Sequence, residues 1–483
     1  MTTNRRIQIT RGRSFVLLGA LGLVAVALAG PLHARQAAVD LTKVDALFSR
    51  WTTATPGCSV GASIKGRVVV NKAYGMADLE HDVPNTADTI FEAGSVSKQF
   101  TAAGVLLLAR EGKLKLDDPV RKYVPELPDY GAPLTIRHML MHMSGLRDWG
   151  SVEGIAGWPR TTRVYTHAHV LDIVSRQKSL NFPSGSQYSY SNTGYNLAVV
   201  IVTRVSGMPF ADFEKERLFK PLGMTRTSWR DDFTRVVKSR AIAYEQRGDG
   251  YNQDMPFENV HGNGGLLTTV GDLLKWNDNF EKPVVGDASF VAEQQAPGAF
   301  NDGRPGNYAL GLQVGNYRGV REVGHSGATA GYRAHLLRLP DQGVSVAVLC
   351  NASSGAATQY ARAVAELLMP GALSAATPGR AGGAGPAAAP AQRLAPTAAE
   401  LQALTGTYVS DEAETTFVAV VADGALTLKR RPDAVIRLTP TATADVFTAG
   451  GLGTITFRRD ASGRVTALSV RQDRVWDLRF ERR

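Results

Sequence analysis

The chain has only two cysteines, Cys58 and Cys350, in 483 residues, which excludes a disulfide-dense scaffold. Its long apolar stretch, Phe15 to Gly30, is shorter than the roughly 20 residues a spanning helix needs, so a permanent anchor is not expected. No cysteine lies beside that stretch to accept a lipid. No Gly-x-Ser-x-Gly is found, and Gly324-His325-Ser326-Gly327 fails that pattern at Ala328, which argues against an α/β-hydrolase. His138 and His142 are four apart, but Met139 follows His138 where a zinc protease needs glutamate. These two, with the nearby His167 and His169, are read as packing or hydrogen-bonding residues; no metal or other cofactor is expected. No basic run tracks a phosphate backbone either. The formal charge is +10, but four arginines lie within the first thirteen residues, and without them it is 10 − 4 = +6. Nucleic acid is therefore not an expected partner.

The remaining composition, 44% hydrophobic and 20% charged, is that of a globular protein long enough for two or three domains. Arg5, Arg6, Arg11 and Arg13, then the apolar run, then "PLHARQAA" follow the order of an export signal over residues 1–34, with small residues suited to cleavage after Ala29 or Ala34. The expected location is periplasmic or extracellular, with no stable membrane anchor. Residues 58–74 suggest two strands around a Lys-Gly turn, and 321–351 return to strands with a turn at Asp341-Gln342-Gly343. Helices lie between, so one sheet built from both ends of a 35–370 domain is expected. Residues 371–397 are almost all Ala, Gly and Pro and suit a linker. Beyond it, hairpin signals such as Asp423-Gly424 predict about eight short strands over 398–483, a small antiparallel lipocalin-like barrel with no catalytic cluster of its own.

The chemistry concentrates in "FEAGSVSKQFTA". Ser95 stands where an extended run becomes an apolar helix, and Lys98 lies one turn on along the same face. A serine hydroxyl is a weak nucleophile until a neighbour takes its proton, and Lys98 is in reach. The backbone N–H of a helix-opening Ser95 also points outward, toward a developing oxyanion. Ser175 and Lys178 share the spacing but end an amphipathic stretch with no turn ahead of the serine, so they are expected at the solvated surface. Two further pieces are Tyr190-Ser191-Asn192, after a proline-glycine loop, and His325-Ser326-Gly327, on the first of the C-terminal strands. Taken singly, each is an ordinary loop tyrosine or core histidine.

Together, and in this order, Ser-x-x-Lys, Tyr-x-Asn and His-x-Gly resemble the serine β-lactamase and penicillin-binding protein superfamily. The likeness is to its class C-like branch of D-aminopeptidases, DD-carboxypeptidases and esterases, across residues 45–370. "LTIRHMLMHMSGL", "PLGMTRT" and "GNGGLLTTVGDLLKW" also look like that family. The resemblance implies an α+β fold, an antiparallel sheet flanked by helices with a mostly helical subdomain, followed by the barrel. It implies an exported serine hydrolase that forms an acyl-enzyme on small peptides, amides or esters. The expected catalytic residues are Ser95, Lys98 and Tyr190. Asn192, His325 and Gly327 would bind substrate, and the N–H groups of Ser95 and Ala328 would form the oxyanion hole. Lowering a tyrosine from pKa about 10 to 7 costs roughly 4 kcal/mol. A cation at about 4 Å supplies roughly that at an effective dielectric near 20. A charged Lys98 would thus suffice to activate Tyr190, and which of the two is the formal base stays open. Histidine at 325, where β-lactamases carry lysine, points to a peptidase or esterase with weak β-lactam hydrolysis. The alternative is a penicillin-binding or sensor-like pseudoenzyme that acylates slowly or only binds. The family sheet would also bring Cys58 within bridging distance of Cys350. Substrate identity and oligomeric state are not legible.

Overall fold

The computed structural model describes residues 1–2, 40–160, 162–371, 373–374 and 396–483. Residues 3–34 of the expected export signal and most of the expected linker lie outside the described residues. No helix among the described residues is long and apolar enough to cross a membrane.

Six antiparallel strands form the main sheet: β1 (Cys58–Ile64), β2 (Arg67–Tyr74), β3 (Gln313–Tyr317), β4 (Val320–Thr329), β5 (Tyr332–Leu339) and β6 (Val344–Cys350). Their spatial order is β3-β4-β5-β6-β1-β2, so the two ends of the domain meet at the β6–β1 pair. Lys65 and Gly66 join β1 to β2 with φ of +50° and +77°, the paired left-handed conformation of a two-residue hairpin turn. Edge strand β3 was not foreseen, because Gln-Val-Gly-Asn-Tyr lacks the β-branched alternation that marks a strand. His325 consequently sits on the second of the C-terminal strands, not the first.

β1 and β6 are buried along their whole length because both faces of the sheet are covered. Val346, Val348 and Cys350 face one apolar layer with Val44 and Val364, contributed by helices Leu41–Leu47 and Ala357–Leu368. Ala347 and Leu349 face the other, larger core. There the helix Val270–Asn279 lies so close that a Cβ on Gly61 would stand 3.2 Å from Val270 and Leu274. Cys58 is directly opposite Cys350 in the β1–β6 register, and the two are joined in a disulfide.

The C-terminal strands run from Gly406–Ser410 to Val475–Arg482 in one nine-segment ladder. Its two end segments, Ala434–Arg437 and Thr439–Pro440, are separated only by Leu438 and pair with different neighbours. They act as one strand, which makes the ladder a nearly closed eight-stranded barrel. The barrel is held to the hydrolase-like part by a buried ion pair, Arg147 Nη1 to Glu412 Oε2 at 2.6 Å. Trp476 also packs on Phe182 with ring centroids 5.2 Å apart.

Candidate active site

The run from Phe91 to Leu108 is buried at every residue but one, and that residue is Ser95. Phe91–Glu92 pairs with Leu266–Thr268, and Gly94 at φ +51° then turns the chain into a 3₁₀ turn, Gly94–Ser97, ahead of the helix Lys98–Arg110. The expected single helix thus opens with a tighter first turn. Ser97 secures it by donating to Gly94 O at 2.6 Å and accepting from Leu266 N–H at 3.1 Å.

Lys98 is completely buried. Its Nζ lies 3.1 Å from Ser95 Oγ, 2.9 Å from Asn192 Oδ1 and 2.6 Å from Asn263 O. Two of these partners are plain acceptors, which satisfy the two N–H groups of a neutral amine and leave its lone pair toward the Ser95 hydroxyl. Burial pushes Lys98 well below the ordinary lysine range, with Arg160 and Arg474 acting in the same direction and Asp148 opposing. The proton-accepting form is therefore favoured. Asn192 and Asn263 are themselves held in place. Asn192 N–H donates to Asp148 Oδ2 at 2.7 Å, and Asn196 Nδ2 donates to Asn263 Oδ1 at 2.7 Å.

Tyr190 bears on the question, left open by the sequence, of which group is the base. Burial raises its phenol, the adjacent Ser95 hydroxyl offsets this only in part, and Lys98 Nζ lies over the ring at 4.9 Å from its centroid. Burial thus raises Tyr190 and lowers Lys98, and both shifts run against a phenolate–ammonium pair. His142, with its ring 4.2 Å from that of Tyr190, buttresses it and accepts Ser191 N–H at Nδ1.

Strand β4 closes the other wall. A Cβ on Gly327 would fall 2.0 Å from Ala93 O and 3.1 Å from Ser95 N; one on Gly94 would fall 2.6 Å from Ala328 N. Only glycines let this strand and the Ser95 turn approach so closely, which sets the N–H groups of Ser95 and Ala328 on neighbouring backbones. Both ring nitrogens of His325 are occupied, Nδ1 by Ser326 O at 2.6 Å and Nε2 by Tyr308 OH at 2.9 Å. Burial lowers its pKa to about 3, so it is neutral.

Ser95, Tyr190, Asn192, His325, Gly327 and Ala328 all line one cleft of about 490 Å³. Ser175 and Lys178 are elsewhere, as expected: Ser175 Oγ donates to Asp172 O, and Lys178 reaches Asp411 at the exposed surface. His138 bonds Ser184 and caps its own helix, His169 caps another, and His167 reaches His261 O. Sequence reasoning missed Asn263, Asp148 and Tyr308, although Asn263 lies inside the family-like stretch beginning at Gly262.

Residues 43–369 match the Beta-lactamase family over most of the chain. The chain belongs to the Beta-lactamase family. A D-aminopeptidase of Cereibacter sphaeroides is 30% identical over 305 residues, 62% of this chain and 58% of that protein. Penicillin-binding protein 4* of Bacillus subtilis is 28% identical over 327 residues, 63% of this chain and 70% of that one. The chain thus spans less than two thirds of the D-aminopeptidase it matches. Among solved structures, the octameric penicillin-binding protein homologue of Pyrococcus abyssi aligns with a TM-score of 0.61 at 24% identity, covering 91% of this chain and 99% of its own. At that identity the likeness establishes the fold, barrel included.

Proposed function

We propose that the chain is an exported serine hydrolase that cleaves amide or ester bonds through an acyl-enzyme on Ser95. The observation that carries this reading is the buried Lys98 amine, 3.1 Å from Ser95 Oγ with its N–H groups committed to Asn192 and Asn263. Ser95 Oγ attacks the substrate carbonyl while Lys98 accepts its proton. The oxyanion lies between the N–H groups of Ser95 and Ala328. Tyr190 gives its proton to the leaving amine or alcohol and is reprotonated from Lys98. Water then attacks the ester, with Lys98 again as base, and releases the acid. Asn192 spends its carbonyl oxygen on Lys98 and keeps its Nδ2 for the substrate amide.

D-Amino-acid derivatives are the proposed substrates, supported by the D-aminopeptidase relatives and by the fold shared with a D-amino acid amidase of Ochrobactrum anthropi. The neutral His325, in place of a permanent cation, supports at most weak β-lactam hydrolysis. The N-terminal order of charge and apolarity supports export. Intact mass after incubation with a fluorophosphonate tests the core of the reading. One adduct on wild type and none on Ser95→Ala is expected; no adduct on folded wild type, or equal labelling of both, refutes it. A penicillin adduct that persists for hours, with no turnover of amides or esters, would instead establish the binding-protein alternative.

A further inference from the structure

The cleft is lined by three arginines and no carboxylate, and one of the three comes from the barrel. Arg474 occupies the turn between the last two barrel strands, Val465–Gln472 and Val475–Arg482. Its guanidinium stacks on Tyr190, 4.8 Å from the ring centroid. The turn is pinned there. Arg474 O accepts from Asp148 N–H at 3.2 Å and from Asn181 Nδ2 at 3.0 Å, while Asn181 Oδ1 takes Trp476 N–H at 2.7 Å.

The three cations are not equivalent. Arg160 is neutralised by Glu258, with Nε to Oε2 at 2.8 Å. Arg333 is turned onto the carbonyls of Ala330 and Tyr332. Arg474 makes no ion pair among the described residues, is only partly buried and lines the cleft. Strand β4 offers no competing cation, because His325 is neutral and fully hydrogen-bonded.

We propose that Arg474, supplied by the barrel, is a substrate-binding residue of the cleft. Among D-amino-acid derivatives it narrows the proposed substrates to those with a free carboxylate beside the scissile bond, such as N-acylated dipeptides, and away from amides that place a free ammonium there. A guanidinium stacked on a ring is pre-organised to grip a carboxylate through two N–H groups. A cleft with no acid to balance it repels a free amino terminus. The inference rests on the Ser95 reading only for the position of the scissile bond; the anion site itself does not depend on nucleophilic chemistry.

Calorimetric binding to Ser95→Ala at low salt tests this without turnover, using N-acetyl-D-alanyl-D-alanine and its C-terminal amide. The acid is expected to bind about tenfold or more tighter than the amide. Arg474→Gln in the same background should erase that preference and Arg474→Lys should keep part of it. Equal binding of acid and amide, no binding of the acid, or a preference that survives Arg474→Gln overturns the proposal. If Ser95→Ala prefers the acid while wild type resists fluorophosphonate, the anion site stands and the nucleophile reading falls.

Discussion

Gly327→Ala adds one methyl group at the tightest contact of the site. That Cβ would stand 2.0 Å from Ala93 O, whereas ordinary contact begins near 3.4 Å, a shortfall of 3.4 − 2.0 = 1.4 Å. None of the atoms it meets is a flexible side-chain tip: Ala93 O, Ala93 C and Ser95 N are all backbone of the turn that presents Ser95, packed against strand β4. The strand and the turn must therefore separate, and the N–H groups of Ala328 and Ser95 separate with them. A displacement on the order of 1 Å at a reacting centre costs about 100-fold in rate, or about 2.7 kcal/mol of transition-state stabilisation. Overpacking also lowers stability, by about 1–3 kcal/mol, so the protein should still fold. The assay is the second-order rate constant for fluorophosphonate labelling, read beside a thermal melt. A loss below about threefold with an unchanged melting temperature would refute the reasoning, since the close approach would then not govern reactivity.

Two effects on stability follow from the same coordinates. His167, His325 and His335 are each lowered to about 3 and His261 to about 4, burial being the first cause in every case. These residues fold neutral, and the unfolded chain binds the extra protons. Their favourable state is therefore complete above about pH 6.5 and is lost as pH falls from there toward 3, at up to about 1.4 kcal/mol per unit for each histidine. Urea midpoints at pH 7, 6 and 5 should fall steeply, and a flat profile would contradict the burial argument. The Cys58–Cys350 disulfide links residues 292 apart in sequence, so replacing both with alanine should remove about 2–4 kcal/mol. An unchanged urea midpoint for Cys58→Ala/Cys350→Ala would count against that estimate.

Much of the fold was legible because its signals are local. The Lys65-Gly66 and Asp423-Gly424 turns and the buried helix after Ser95 each announce themselves within a few residues. Ser95 and Lys98 belong to the same class, being one helical turn apart. Tyr190, Asn192, His325 and Ala328 are different. Nothing in their own surroundings marks them, and only the ordered combination of motifs, read as a family resemblance, brings them to one cleft. Asn263 acts through its backbone carbonyl, which any residue type carries, so its side chain is no guide to that contact with Lys98. Arg474 lies 284 residues beyond Tyr190, in a turn, Asp473-Arg474, that resembles any polar hairpin end. Only the docking of the barrel makes it part of the cleft.

The sequence reading of Tyr190, which left the formal base open between Lys98 and Tyr190, omitted one effect that matters beyond this site. It balanced the cost of a phenolate against the attraction of a nearby ammonium, as though the ammonium came without cost. Burial acts on both members of the pair: the environment that would strengthen their attraction also disfavours charging either one. The packing around Lys98 decides between the outcomes. Two carbonyl acceptors suit an amine as well as an ammonium, no carboxylate touches Nζ among the described residues, and burial outweighs the opposing charge of Asp148. Both shifts run toward a neutral lysine beside a neutral tyrosine. That is the state the proposed mechanism uses, in which Lys98 takes the Ser95 proton and Tyr190 gives one up to the leaving atom.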